Sequence, residues 1–335
     1  MKKKLLITLS IICIMISGCS ARKMDAGYSL GVIMTNGYEE HSAIILLNDE
    51  LKEHSTIPCA VANITTGEGA MSGSMVYLAA NGDSDHLDYG AVLSLDTADL
   101  ALEKYELGRT NITDFRIDPP WIYTNSNLNW VFCLDRVNTA TREIQSVEMT
   151  DLLIYCFVPY HDEICVLAEE TGTTAMALYK YSFLTGKREK LCQLMDHGAE
   201  GYTDISYMNG SVYALVDDTL FQFSLRDGIL KTHNMEDAPA CKLCAVSGDL
   251  YIIISDPAAG SDISLVKKFI GEERRTETVG TYRGTILQIE FSESGIYIMD
   301  YDGLHKTHIK SGEFVTDLEY VFGTKYDYCG GFFVK

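Results

Sequence analysis

The sequence predicts an all-β fold, a seven-bladed β-propeller of four-stranded antiparallel blades. Three observations point to it. One stretch, Gly210 to Met235, writes out three strands in succession. Its pattern recurs with a mean step of 44 residues (264 residues from Ile33 to Tyr297, over six steps), the spacing of a propeller blade. The two ends are complementary as well. The first unit lacks an innermost strand, and the last residues supply one with no outer strands behind it.

Within the stretch, Val212 to Val216 is an unbroken apolar run, too short for a helix and rich in β-formers. That suits a strand buried on both faces. Asp217-Asp218 turns the chain. Phe221, Phe223 and Leu225 alternate with Gln222 and Ser224, which gives the next strand one apolar face. Asp227-Gly228 supplies a tight hairpin, because glycine accepts the positive φ of such turns. Ile229 to Met235 is more polar and reads as an outer edge.

The pair Val212-Tyr213 has counterparts at Val32-Ile33, Val76-Tyr77, Ile122-Tyr123, Ile164-Cys165, Leu250-Tyr251 and Ile296-Tyr297, each expected in the second strand of its unit. The next strand and turn recur too, with Asp-Thr, Asn-Thr, Thr-Gly, Gly-Glu or Ser-Gly before a polar strand. The first unit starts at Tyr28, and Tyr326 to Val334 is expected to complete it. The C-terminal strand then joins the N-terminal blade, closing the ring and removing its unpaired strand edges. No linker or composition shift divides residues 28–335, so they read as one propeller domain.

Ahead of it, Lys2, Lys3 and Lys4 precede an apolar core from Leu5 to Ile16. That core is too short to span a bilayer of roughly 30 Å and suits a signal peptide. Ile16-Ser17-Gly18-Cys19 follows, and the segment resembles the lipobox of bacterial lipoproteins. The resemblance implies cleavage before Cys19 and acylation of its sulfur, with 1–18 a lipoprotein signal peptide and 19–27 a lipid-anchored tether. An ordinary signal peptide or an uncleaved anchor is the alternative. In each case the folded part is exported. Without the three lysines, 24 basic and 47 acidic side chains leave a net charge of −23. Such a surface repels phosphate backbones and anionic lipid, so nucleic acid is excluded as a partner. Membrane attachment, on the extracytoplasmic face, then comes from the lipid.

Chemistry is sparse. Of ten cysteines, Cys133, Cys156, Cys165 and Cys192 sit in apolar strand runs, as small hydrophobes do. Mostly free buried thiols are expected beyond Cys13 and Cys19. Cys241-x-x-Cys244 has redox or half-zinc spacing, but it falls on an innermost strand with no second pair. Asp83, Asp85 and Asp88, with Asn81 nearby, crowd one loop. It reads as a solvated acidic hairpin, with calcium as the alternative, because an EF-hand's glycine and closing glutamate are missing. No other cofactor is expected. Gly67-x-Gly69-x-x-x-Gly73 leads into a strand and offers no helix N-terminus to a pyrophosphate. There is no H-E-x-x-H motif, and the eight histidines are scattered.

The repeat resembles the quinoprotein-like and YVTN-like propellers of bacterial surface and periplasmic proteins, with Leu184-Thr185-Gly186-Lys187 like the turn common in quinoprotein blades. The tryptophan such blades carry after that turn is missing in every repeat. Variable loops between second and third strands, and blade-to-blade links, share one face in such a fold, where recognition usually sits. Arg109, His197, Glu200, Tyr202 and Arg283 on those links are the candidate ligand-binding residues, with Asp83 and Asp85 beside them. The arginines suit an anionic ligand. The expected function is a non-catalytic binding or assembly platform for an envelope protein or a small extracellular ligand. An exported propeller enzyme, a lyase, lactonase or glycosidase, is the alternative.

Overall fold

The computed structural model describes residues 27–37, 39, 41–82, 90–109, 111–128, 131–235, 240–255, 263–271 and 275–335. Among them every regular element is a strand. The chain opens with Leu30–Thr35 (β1), Ser42–Leu47 (β2) and Glu53–Cys59 (β3). Next come Ile64–Ser72 (β4), Met75–Asn81 (β5), Gly90–Asp96 (β6) and Leu102–Arg109 (β7), then Ile112–Asp118 (β8), Trp121–Leu128 (β9), Val131–Asn138 (β10) and Ile144–Met149 (β11). Leu152–Tyr160 (β12), Glu163–Glu170 (β13), Met176–Ser182 (β14) and Lys187–Met195 (β15) precede Thr203–Met208 (β16), Ser211–Val216 (β17), Thr219–Ser224 (β18) and Leu230–Asn234 (β19). The last groups are Ala240–Val246 (β20), Asp249–Ser255 (β21), Ile263–Ile270 (β22) and Arg275–Arg283 (β23), then Gln288–Ser292 (β24), Gly295–Met299 (β25), Gly303–Lys310 (β26) and Glu313–Val321 (β27), with Tyr328–Val334 (β28) at the end.

Within each group of four, consecutive strands pair antiparallel, and β28 pairs antiparallel with β1 in the order β28-β1-β2-β3. Single parallel bridges, Glu68 to Arg116 and Thr281 to Glu313, link two pairs of groups into larger sheets. Each of the seven recurring pairs, from Val32-Ile33 to Ile296-Tyr297, falls in the second strand of its group.

Those second strands are buried on both faces because each contributes to two apolar layers. In β17, Val212, Ala214 and Val216 pack toward the β12–β15 group. Tyr213 and Leu215 point the other way, into a cluster with Leu243, Leu250, Ile252 and Phe269. The same alternation recurs along the chain, so each hydrophobic cluster lies between two consecutive groups. One further cluster joins Tyr297, Met299 and Leu304 of the β24–β27 group to Leu30, Val32 and Phe332 of the β28-β1-β2-β3 group. Outer strands such as Lys187–Met195 are largely exposed, which matches their polar sequences.

The first strands of the groups lie side by side: β28 by β4, β4 by β8, β8 by β12, β12 by β16, β16 by β20, and β24 by β28. At β28 the approach is so close that only glycine fits. A Cβ on Gly330 would overlap the Ile64 carbonyl, and one on Gly331, at φ +134°, would overlap the Thr66 hydroxyl. That explains the Gly-Gly step inside an otherwise bulky strand.

Candidate functional site

First strands edge the middle of the molecule, and side-chain clamps hold them to one another. Asp114 on β8 accepts the Phe157 N–H of β12 at 3.1 Å. Asp204 on β16 accepts the Leu243 N–H of β20 at 2.8 Å. Gln288 on β24 does the same for β28 with both ends of its amide: Phe332 N–H donates to Oε1 at 3.0 Å, and Nε2 donates to the Phe332 carbonyl at 2.9 Å. Each clamp gives a buried backbone group the partner it would otherwise lack.

Arg116 lies between two of these clamps. Its Nη1 is 3.3 Å from Asp114 Oδ1 and its Nη2 is 3.5 Å from Asp204 Oδ1. Burial pushes the Asp204 carboxyl upward, opposed by the Arg116 charge and by the Leu243 N–H. These two carboxylates are thus committed to the scaffold.

Two cavities open along the first strands. One, of about 370 Å³, lies at the C-terminal ends of β8, β12 and β16 and is lined by Arg116, Asp118, Tyr160, His161, Ser206 and Tyr207 among others. The Tyr160 and Tyr207 rings meet edge to face at 4.9 Å. Asp118 is pushed above its usual range by burial, partly offset by His161. The other cavity, of about 340 Å³, lies among β4, β20, β24 and β28. Thr66, Met71, Lys242, Gln288, Glu290 and Phe332 are among its lining residues, and Ala245 is shared by both cavities.

Glu290 is the unusual group of that second lining. Burial alone lifts its carboxyl to about 7. It forms no hydrogen bond or ion pair with another described residue. In contrast Asp300, also buried, is held near about 2: burial would raise it, but His305, the Tyr282 hydroxyl and the Asp302 N–H overcome that. The Asp300-Tyr301-Asp302-Gly303 segment is a turn closed by the Asp300 carboxylate on the N–H groups of Asp302 and Gly303.

The residues predicted from the links sit elsewhere. His197, Glu200 and Tyr202 lie together on the exposed link between β15 and β16. There Asp217 binds the N–H groups of Glu200 and Gly201, at 3.1 and 2.6 Å. His197 Nδ1 faces its neighbour's carbonyl at 2.9 Å. Arg283 is exposed at the end of β23, opposite Ile263, on a different link. The backbone of Arg109 ends β7 opposite Gly90, and its side chain is outside the described part. These links precede the first strands, at the ends opposite Asp118 and Tyr160, and none of their candidates lines either cavity. Cys19, Asp83, Asp85 and Asp88 lie outside the described residues. Asn81, set beside them in the sequence reading, is used structurally. Its Oδ1 accepts the Ile112 N–H at 2.6 Å and its Nδ2 donates to the Ile112 carbonyl at 2.9 Å.

Cys59, Cys133, Cys156, Cys165, Cys192, Cys244 and Cys329 are free thiols. Burial pushes Cys59 and Cys192 up to about 11, and Cys165 and Cys329 to about 12. Among the described residues no group of three His, Cys, Asp or Glu side chains is placed to hold a metal ion.

Sequence reasoning missed the axial polar residues, although a trace was present. Thr113-Asp114-Phe115 and Thr203-Asp204-Ile205 are the same tripeptide pattern in two first strands.

No family model matches the chain, and no curated protein matches it. Among solved structures it is similar to a "putative 6-phosphogluconolactonase" from Bacteroides uniformis, with a TM-score of 0.60 and 13% identity over 91% of this chain and 99% of that one. It is similar to an oligogalacturonate lyase in complex with manganese, at a TM-score of 0.59 and 11% identity over 88% of each chain. A functionally unknown protein from Desulfotomaculum acetoxidans gives a TM-score of 0.61 at 12% identity over 91% of this chain and 98% of that one. What these likenesses establish is the architecture: the chain is an all-β protein of four-stranded antiparallel sheets of the propeller type.

Proposed function

We propose that the chain is a seven-bladed propeller closed by β28, anchored outside the cell through a lipid on Cys19, and that it serves as a non-catalytic binding platform. The observation that carries this reading is the 340 Å³ cavity among β4, β20, β24 and β28. Its size is within the range of small-ligand pockets. Its lining keeps one carboxyl uncommitted while Gln288 beside it is spent on a clamp. The blade count is supported by seven groups of four strands with an apolar cluster between each consecutive pair. Closure is supported by the cluster joining the last group to the first and by the β28–β1 pairing.

The binding role is tested by a thermal-shift screen of small extracellular metabolites on the full-length protein in detergent. Cys244→Trp narrows this cavity and not the other, and should abolish the shift of every hit. A hit that shifts both proteins equally overturns the assignment of the cavity. The anchor is tested by growing cells on an alkyne-tagged palmitate. Label on the wild type and none on Cys19→Ser is expected, and a labelled Cys19→Ser protein refutes it. A second reading, an exported enzyme, is favoured by the likeness to lactonase- and lyase-named structures. Turnover of a sugar lactone or of oligogalacturonate, with and without manganese, would establish it in place of the platform.

A further inference from the structure

The same cavity offers a chemical choice, and the inference below deepens the platform reading and rests on it. Four polar or charged side chains from three first strands reach the lining: Gln288 and Glu290 from β24, Lys242 from β20 and Thr66 from β4. Gln288 is consumed by Phe332, and the Thr66 hydroxyl turns to Gln288 Oε1 at 3.4 Å. Lys242 is a half-buried ammonium whose charge acts on Asp204. Its long stem lets the head reach water. Glu290 is also half-buried but has a shorter stem. It is mostly surrounded by protein, and no described residue gives its oxygens a hydrogen bond. A carboxylate in that position has lost much of its water and gained no protein partner in return.

We infer that this cavity binds a small ligand with a cationic nitrogen, a primary alkyl or aryl amine, which forms an ion pair with the Glu290 carboxylate while its apolar body lies among Met71, Phe291 and Val334. These three residues are half-buried and line the same space. An ammonium supplies what Glu290 lacks, a charge-assisted hydrogen bond in a place shielded from water. An anion would gain no such bond from Glu290, and Lys242, the cation of the lining, already acts on Asp204. The formal charge of −20 favours approach of cations in general.

Binding is then linked to protons. The empty site holds Glu290 protonated below about 7, and an ammonium selects the ionised form, so a proton leaves as the amine enters. The other titratable groups facing this space are Lys242 and Cys244 on β20, with Tyr297 opposite Glu290 on β25. Lys242 is the charged group among them, and its charge acts on Asp204.

The experiment compares benzylamine, benzyl alcohol and benzoate by titration calorimetry on the full-length protein in detergent, with protein-free micelles as the blank. Benzylamine should bind at least about tenfold more tightly than either analogue, as a hydrogen bond to a charged group warrants. Glu290→Gln should lose that margin while melting no lower than the wild type. Affinity for benzylamine should fall from about pH 8 to about pH 6. Equal binding of the three probes, no binding of benzylamine, or benzylamine binding unchanged in Glu290→Gln overturns the inference. Binding of benzyl alcohol or benzoate that Cys244→Trp removes would refute the amine and leave the cavity a binding site. No cavity-dependent binding by any compound refutes both.

Discussion

Replacing Glu290 by glutamine should make the protein's stability less dependent on pH, and the size of the effect follows from burial. The Glu290 carboxyl moves from an ordinary value of 4.5 to about 7 in the folded chain. Between those values the native state keeps a proton that the unfolded chain has released. Stability supplied by the protonated form is fully present below the unfolded pKa and is lost as pH rises through the folded one. A shift of that size corresponds to about 3 kcal/mol, since one pKa unit is about 1.4 kcal/mol. Glutamine has the same shape and cannot ionise. The gain in stability of Glu290→Gln over wild type should therefore grow by about 3 kcal/mol from pH ~4 to pH ~8 and then level off. Urea denaturation of both proteins across that range measures it. Other carboxylates, Asp300 and Asp204 included, titrate in both proteins and cancel in the difference. A difference that stays flat, or that grows toward acid, refutes the assignment of Glu290 as a desolvated, unpaired carboxyl.

Deleting Gly330 to Lys335 removes Phe332 and Phe333, both almost wholly buried, from two separate clusters. At about 3–5 kcal/mol for each lost phenylalanine, the loss rivals the whole stability of a typical domain, so circular dichroism should show an unfolded chain at 25 °C; an unchanged melting curve refutes the closure. Asp204→Ala leaves the Leu243 N–H without its acceptor and Arg116 with Asp114 alone, and should cost about 1–3 kcal/mol in urea. Asp204→Asn, which keeps an acceptor, should cost less, and equal losses would show that the clamp contributes nothing. With folded-state thiol values of about 11 to 12 for Cys59, Cys165, Cys192 and Cys329, iodoacetamide near neutral pH should label them only after urea is added. Rapid labelling of the native protein would contradict their burial.

The strand pattern was legible because burial on two faces leaves a strong mark. A second strand that feeds two apolar layers must be apolar at every position, as Val212 to Val216 is, and no helix can be that short. The Gly-Gly step of β28 was legible as a strand only through its neighbours, and its reason, the overlap with Ile64, needs the fold. In sequence, candidate binding residues stand out in variable loops, where exposure allows change. Glu290 sits instead on a short first strand, QIEFS, whose alternation marks Ile289 and Phe291 as packed and says nothing of what faces Glu290. Whether such a carboxylate meets water, an arginine or a void depends on the distance to the next first strand. That distance is a property of the ring and leaves no trace in local sequence.

The repeat itself shows why this site falls on one side of the molecule. Asp114, Asp204 and Gln288 each clamp the next first strand, and the residue two positions later is Arg116, Ser206 and Glu290 respectively. Strand periodicity places all three on the same side of their strands as the clamp. In equivalent places, then, the chain carries a cation, a hydroxyl and an acid. Arg116 is neutralised because two clamping aspartates lie within 3.5 Å of it. Where glutamine takes the clamp, the backbone contact survives but the charge is gone, and a cation would have no local partner there except Glu290 itself. The substitution of Gln288 for an aspartate thus lets Glu290 stay the single negative charge of its clamp. Gln288→Asp would place a second carboxylate near it, raise the Glu290 pKa further by like-charge repulsion, and leave a still stronger demand for a bound cation.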